Sequence, residues 1–211
     1  MCIGSTAHFI RRDDIVCGIG SRGNEIPPPS KAPCTILGLR GPVSMQHFKE
    51  AGHDVSNVRF LMDPGLAIRF MIEDSIGPER ERAIFIPHYR ERNRYRLHLP
   101  RGIEFVDIDN SPMRVAYEIL RSTLVYTSSL HGLVFAHALH RPCVLIAPEH
   151  ESLTKYIDHV ASVGLRWRRP ADNIFDAIAQ PKPTSSEPVD YCLADFAFPS
   201  ALELRDHGVL N

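Results

Sequence analysis

Short, continuously apolar segments alternate with helix-forming segments along most of this 211-residue chain, and this alternation limits the folds open to it. Six segments predict strands, most of them apolar throughout: 14–18, 34–39, 82–87, 103–108, 123–127 and 142–147. The segments between and after them predict helices: 42–51, 66–73, 111–121, 131–140, 152–163 and 171–180. Strands that are apolar on both faces and alternate with helices are typical of parallel sheets covered by helices on both sides. The predicted fold class is therefore α/β.

The polar, basic segment 88–101 predicts a loop, and a domain boundary there divides the chain into domains 1–100 and 101–211. The segment contains Arg90, Arg92, Arg94, Arg96 and Arg101. Two interpretations stay open: a solvated loop, or a patch that attracts an anionic partner such as a lipid-linked diphosphate or a membrane face. Beyond a Pro- and Ser-rich stretch, the apolar segment 191–198 is expected to pack back onto a domain.

Composition narrows the function classes. A formal net charge of −1 does not favour nucleic-acid binding. No window reaches the run of about 20 apolar residues that a membrane-spanning helix needs. Five cysteines without a CxxC pair indicate neither a disulfide framework nor a zinc site. We therefore predict a soluble cytoplasmic protein with no metal.

The segment TLVYTSSLHGLVFAHALHRPCVLI, residues 123–146, predicts a strand, a tight turn, a helix and a second strand. The turn carries Ser128 and Ser129, and Gly132 allows a ligand to approach the backbone closely. N–H groups at a helix start attract anions, and ligands of open α/β sheets bind beyond the carboxyl ends of the strands. His131 suits anion pairing and proton transfer. The alternative, two capping serines and a surface histidine, stays open.

The motif Gly18-x-Gly20-x-x-Gly23 follows a strand but does not open a helix, because the segment NEIPPPS comes next. A dinucleotide-binding fingerprint requires that helix. The three glycines therefore predict a flexible turn, and no nucleotide cofactor.

Four segments, in this order, resemble the polysaccharide pyruvyl transferase family: ILGLRGPVS at 36–44, MDPGL at 62–66, FIPHYR at 85–90, and SSLHG at 128–132 followed by RPCVLIAP. Residues 155–165 resemble the helix that follows in that family. The resemblance extends over residues 14–170 and is greatest to the branch that adds ketal pyruvate to bacterial exopolysaccharides.

The resemblance implies a GT-B-like fold of two Rossmann-like parallel-sheet domains with the active site in the cleft between them. It implies an enzyme that transfers a pyruvyl group from phosphoenolpyruvate, without a further cofactor, to hydroxyls of a polysaccharide or lipid-linked saccharide. Because the chain starts shortly before Asp14, a shortened N-terminal domain is expected, and a homodimer would cover its sheet edge.

Contacts to the donor in the family carry over to His131 and to the backbone of Leu130, and a further arginine contact is best matched by Arg40. A cation just before a helix is disfavoured by the helix dipole unless it holds an anion. His131 and Arg40 are therefore the predicted catalytic residues. The predicted donor-binding residues are Ser128, Ser129, Leu130, Gly132 and Lys155.

His88, Asp63 and Arg90 are further candidates for the cleft. Each has a simpler interpretation: His88 is a loop histidine, Asp63 belongs to an Asp-Pro-Gly turn, and Arg90 is solvated. Lys155 is likewise either a phosphate contact or a solvated side chain. The predicted partners are phosphoenolpyruvate and a saccharide acceptor, with peripheral contact to the inner face of the membrane and without nucleic acid.

Two other functions remain open. A GT-B-like glycosyltransferase would use a sugar nucleotide and needs a carboxylate near the ribose, for which Glu149 is the candidate. A non-catalytic remnant of the family would bind phosphoenolpyruvate or a saccharide without turnover.

Overall fold

The structure, a computed structural model, describes residues 4–72, 77–78, 81–179, 181 and 189–210. The chain divides into two units: a first unit of residues 1–64 with 191–211, and a second unit of residues 65–190. This division differs from the expected boundary near residue 100. The strand at Ala83–Ile86 pairs with Leu124–Thr127, and this pairing places it in the second unit.

The first unit contains a parallel sheet of three strands in the order β1-β2-β3. The strands are β1 (Ile15–Ile19), β2 (Thr35–Leu39) and the two-residue β3 (Phe60–Leu61). β1 and β2 confirm the sequence prediction. β3 was not predicted, since two residues are too short to show a period.

Helix α1 (Pro42–Glu50) follows β2 and confirms its prediction. Proline at the start and Gly52 with φ +88° beyond the end delimit it. Phe48 of α1 is fully buried in the core that Val16, Ile19 and Leu39 form.

The C-terminal segment packs onto the first unit, whereas the sequence placed it in the domain 101–211. It contains a short 3₁₀ helix (Leu193–Phe196). The fully buried Phe196 ring lies 6.0 Å from the Phe60 ring and 5.4 Å from the Phe198 ring, measured between centroids.

The second unit contains a parallel sheet of four strands in the order β5-β4-β6-β7. Its strands are β4 (Ala83–Ile86), β5 (Ile103–Phe105), β6 (Leu124–Thr127) and β7 (Cys143–Leu145). Its helices are α2 (Arg92–Leu97), α3 (Pro112–Leu120), α4 (Leu130–Ala138), α5 (Thr154–Ser162) and α6 (Ile174–Ala179). A 3₁₀ helix (Pro64–Met71) spans the boundary between the units, and α7 (Ala201–Asp206) lies in the C-terminal segment. Both units are thus mixed α/β with parallel sheets, which is compatible with a Rossmann-like fold.

The prediction of a loop for residues 88–101 is wrong over Arg92–Leu97, which form α2. The buried Tyr95 ring packs edge-on against Phe85 of β4 at 4.8 Å between centroids. Tertiary packing by one aromatic residue therefore stabilises a helix in a segment whose polar composition favours a loop.

The order of the four strands reverses between β4 and β6. The chain passes from β4 to β5 on one side, and then crosses to β6 and β7 on the other. In open α/β sheets such a reversal leaves a crevice beyond the carboxyl ends of the two strands, where ligands bind. This edge of the second unit is therefore where a site is expected.

Helix α4 is apolar on every face, and its residues Gly132–Ala138 are all buried. It packs directly on the sheet at Gly132, where an added Cβ atom would lie 2.3 Å from Thr127 Oγ1. Glycine is therefore required there for close packing of the helix against β6. No helix in the described ranges is long and apolar enough to cross a membrane.

Phe196→Ala is expected to lower the free energy of unfolding by about 3–5 kcal/mol, because the ring is fully buried and cavity formation adds to the lost transfer energy. Phe198→Ala is the matched control, since that ring is 41% exposed, and a clearly smaller loss is expected. Urea denaturation followed by circular dichroism measures both. Equal losses would show that the C-terminal segment does not depend on the buried ring.

Candidate functional site

Three loops meet at the carboxyl edge of the second sheet. His88 follows β4, Ser128 and Ser129 follow β6, and the segment 149–151 follows β7. Because the strands are parallel, these loops emerge side by side, and the first two flank the reversal of strand order.

The fully buried Ser128 hydroxyl joins the first two loops. It accepts a hydrogen bond of 2.9 Å from the backbone N–H of His88 and donates one of 2.6 Å to Glu91 Oε2. The other Glu91 oxygen accepts the N–H of Glu149 at 2.7 Å. The Tyr156 hydroxyl of α5 donates to the Ser128 carbonyl at 2.5 Å. Ser128 therefore holds the loops together, and its single O–H donor is used in doing so.

Glu91 is buried, with 4% of its surface exposed. Burial raises the pKa of its carboxyl group, while the hydrogen bond from Ser128 acts in the opposite direction. Its two oxygens bind groups of two different loops, so Glu91 is part of the frame of the site.

A second cluster surrounds the His88 imidazole. Lys155 Nζ lies 3.4 Å from His88 Nε2 and 3.2 Å from Glu151 Oε2. The other Glu151 oxygen lies 3.8 Å from His88 Nε2 and 3.5 Å from Arg90 Nη1. Both Lys155 and the Glu151 side chain are buried. The ammonium group of Lys155 is thus bound to protein groups, and the interpretation of Lys155 as a solvated side chain is wrong.

The pKa of His88 is lowered to about 4, first by burial and then by the positive charges of Lys155, Arg90 and His150, against the opposing effect of Glu151. His88 is therefore neutral at pH 7. Its Nδ1 atom is buried and has no hydrogen-bond partner among the described residues.

The first turn of α4 has no side-chain cap in the described part of the chain. Ser129 is its N-cap residue, yet in the described structure the Ser129 side chain makes no cap hydrogen bond. The interpretation that Ser128 and Ser129 only cap the helix is therefore wrong. Within the same turn, Nε2 of the half-buried His131 is a buried atom without a hydrogen-bond partner among the described residues.

The arrangement combines a helix start without a side-chain cap and two imidazole nitrogens that have no partners among the described residues with two cations, Lys155 and Arg90, which share one carboxylate, Glu151. Such a set binds oxyanions, because helix starts and cations favour negative charge. A buried polar atom without a partner costs about 1–3 kcal/mol, and a bound ligand removes that cost.

Arg40 and Asp63 belong to the first unit and are both fully buried. The Arg40 guanidinium donates to Ser5 Oγ at 2.6 Å and to the Ser21 carbonyl at 2.5 Å. It lies against Gly20, where a Cβ atom would come within 2.2 Å of the guanidinium carbon. Gly20 is thus required for close approach of a side chain, a role that the glycine motif did not indicate.

Four of the five arginines in the segment 90–101 contact carboxylates. Arg92 pairs with Asp109, Arg94 with Glu149, and Arg96 with Asp107, the last at 2.7 Å. Together with the contact of Arg90 to Glu151, these pairs neutralise much of the positive charge. The interpretation as a patch for an anionic partner is weakened accordingly.

The first unit has a cavity of about 430 Å³, a volume ordinary for a small-molecule site. Its polar lining comes from Asn24, Glu25, His47 and Glu50. Two carboxylates disfavour an anionic ligand, so the cavity suits a neutral polyhydroxyl compound better than a phosphate ester.

Sequence reasoning missed Glu91, Glu151 and Tyr156. Glu91 and Glu151 are charged residues in polar segments, and only the tertiary contacts show that they are buried. Within the described residues, no group of three or more His, Cys, Asp or Glu side chains is arranged to hold a metal ion.

Ser128→Ala is expected to lower the free energy of unfolding by about 1–3 kcal/mol, because it leaves the buried His88 N–H and Glu91 carboxylate without this partner. Ser122→Ala is the control. The buried Ser122 hydroxyl donates only to the Ile119 carbonyl, which also accepts the Ser122 N–H at 3.1 Å and so stays satisfied. Urea denaturation of both variants measures the difference. Equal losses would contradict a joining role for Ser128.

A pH dependence follows from His88. The folded protein keeps this imidazole neutral down to about pH 4, whereas the unfolded chain binds the proton near pH 6.5. Stability contributed by the neutral form is therefore lost as the pH falls from 6.5 towards 4. Asparagine does not titrate, so the His88→Asn variant should not lose this stability. As the pH falls from 6.5 towards 4, the difference in the free energy of unfolding should therefore change in favour of the variant. Denaturation curves between pH 4.5 and 7.5 measure the effect, and a difference independent of pH would refute it.

Comparison with known proteins gives the family. The pattern that defines the polysaccharide pyruvyl transferase family matches residues 30–150, more than half of the chain. An uncharacterised protein of Acanthamoeba polyphaga mimivirus is 26% identical over 174 residues, which cover 77% of this chain and 59% of that protein. The chain thus spans less than two thirds of the relative's length. No solved structure matches the chain. The matched region includes the loops after β4 and β6 and the segment after β7 as far as His150, and the chain belongs to the polysaccharide pyruvyl transferase family.

Proposed function

We propose that this chain transfers a pyruvyl group from phosphoenolpyruvate to hydroxyls of a saccharide and forms a pyruvate ketal. One observation carries the proposal. At the reversal of strand order, His88 Nδ1 and His131 Nε2 are buried without partners in the described structure, beside a helix start that its N-cap side chain leaves open.

The donor supplies the groups that such an edge needs. Phosphoenolpyruvate carries a phosphate and a carboxylate, so its site requires at least two anchors rich in N–H groups or positive charge. The first turn of α4, with Leu130 and His131, is one anchor in the proposal. The loop after β4, with His88 and Arg90, is the other.

The reaction starts with protonation of the methylene carbon of the donor, which makes the adjacent carbon electrophilic. An acceptor hydroxyl attacks that carbon, phosphate leaves, and a second hydroxyl closes the ketal. This path needs a proton donor, a base and stabilisation of the departing phosphate. His88 is neutral at pH 7 and is therefore a poor proton source. The proposal assigns the proton donor to His131, and charge stabilisation to Arg90 and the helix start.

Arg40 has no part in this proposal, because its guanidinium is fully buried and donates to Ser5 and Ser21 within the first unit. The saccharide acceptor, its lipid link, the GT-B-like arrangement, the homodimer and the cytoplasmic location stay predictions from the family resemblance. The cavity beside Glu25 and Glu50 is our candidate for contact with acceptor hydroxyls. In the sugar-nucleotide alternative, Glu149 would contact a ribose, but its carboxylate pairs with Arg94.

Calorimetric titration of phosphoenolpyruvate into the purified chain tests the donor proposal. Binding is expected in the micromolar to millimolar range, and His131→Ala should weaken it about tenfold or more, the effect of losing one charge-assisted hydrogen bond. His140→Ala is the control, since His140 lies exposed just beyond the other end of α4.

Release of phosphate in the presence of saccharide acceptors then distinguishes a transferase from a non-catalytic protein that binds phosphoenolpyruvate. Binding with turnover supports the transferase, whereas binding without turnover supports a non-catalytic protein. Absence of binding by the natural chain would refute the proposed donor.

A further inference from the structure

The imidazole of His88 has its two nitrogens in different situations. Nε2 faces the Lys155 ammonium at 3.4 Å, while Nδ1 is buried and has no partner among the described residues. The side chain as a whole is 6% exposed. A neutral imidazole carries one proton, and the nitrogen that lacks it accepts a hydrogen bond.

Lys155 decides which nitrogen holds the proton. An ammonium group only donates, so a hydrogen bond between Nζ and Nε2 requires the lone pair of Nε2 and places the proton on Nδ1. Glu151 Oε2, at 3.2 Å from Nζ, holds the ammonium group in place. The Nδ1–H group is then a buried donor without an acceptor in the described protein, and such donors are rare unless a ligand satisfies them.

We propose that Nδ1–H of His88 donates a hydrogen bond to an oxyanion oxygen of the donor substrate, and that the pair Lys155–Glu151 positions this proton. The proposal rests on phosphoenolpyruvate as the donor. It makes His88 a substrate contact, and Lys155 a positioning residue that acts through His88. Lys155 was expected from the sequence to bind the donor itself.

The charges around His88 agree with this assignment. Lys155 from α5, with Arg90 and His150 from the adjoining loops, disfavours a second proton on the ring, and Glu151 favours it. Without Lys155, the neighbour of Nε2 would be Glu151 Oε1 at 3.8 Å, a hydrogen-bond acceptor. The proton would then move to Nε2, and Nδ1 would turn a lone pair towards the ligand oxygen.

NMR of the full chain with ¹⁵N-labelled histidine reads the position of the proton directly. In the natural protein near pH 7, His88 is expected with a protonated Nδ1 and an unprotonated Nε2, and phosphoenolpyruvate should shift the Nδ1 resonance. Lys155→Met should reverse the tautomer and weaken phosphoenolpyruvate binding about tenfold, whereas Glu151→Gln should weaken the preference for Nδ1–H. A protonated Nε2 in the natural protein would overturn the inference.

Two substitutions of His88 give a matched pair that does not depend on Lys155. Asparagine places an N–H donor near the position of Nδ1, and glutamine places one near Nε2. His88→Asn should keep most of the affinity for phosphoenolpyruvate, and His88→Gln should lose about tenfold. Equal affinities of the two variants would overturn the inference while leaving the proposed function intact.

Inorganic phosphate serves as a second probe. If the natural chain binds no phosphoenolpyruvate, the proposed function fails, and the contact is then judged by phosphate alone. A phosphate-dependent shift of Nδ1 that Lys155→Met abolishes would still support an oxyanion contact at His88. An unchanged Nδ1 resonance would overturn it.

Discussion

The parallel pairing of β4 with β6, at the point where the strand order reverses, is the constraint on which the candidate site depends. Ile86 lies opposite Thr127, so the residues that follow both strands emerge at the same height of the sheet. Because the chain leaves β4 towards one side and β6 towards the other, the space between the two loops stays open. The Ser128 hydroxyl then fixes their separation through His88 and Glu91.

Burial divides the polar groups of this edge into two kinds. Ser128 and Glu91 are buried and have protein partners, so they define the shape of the site and have little left to offer a ligand. The nitrogens His88 Nδ1 and His131 Nε2 are buried without partners in the described structure. A fold keeps such atoms at a cost of about 1–3 kcal/mol each, and this cost is recovered when a ligand binds. The two imidazole nitrogens without partners therefore indicate where a ligand binds.

The first unit shows how burial changes the meaning of a charged residue. An arginine just before a helix favours an anion site when judged by the helix dipole alone. In the structure, the Arg40 guanidinium instead fills the space that Gly20 leaves and donates to Ser5 and Ser21. The C-terminal segment adds to the same unit through Phe196, which packs against Phe60 of β3. This unit is thus formed by contacts between residues that are far apart in the chain.

The sequence by itself determined the α/β class, most strands and helices, and the placement of SSLHG at a strand-to-helix turn. Apolar runs and helix-end residues act locally, so their effect can be predicted without the fold. It also led to the family, since the quoted segments occur in a fixed order. The helix at Arg92–Leu97 and the strand Phe60–Leu61 were missed, because each depends on packing partners distant in sequence. Only the tertiary structure decided that Lys155 binds Glu151 and His88, that Glu91 holds Ser128, and that Arg40 lies inside the first unit. The physical reason is that the role of a polar side chain depends on its burial and its partners, and both are set when distant segments pack together.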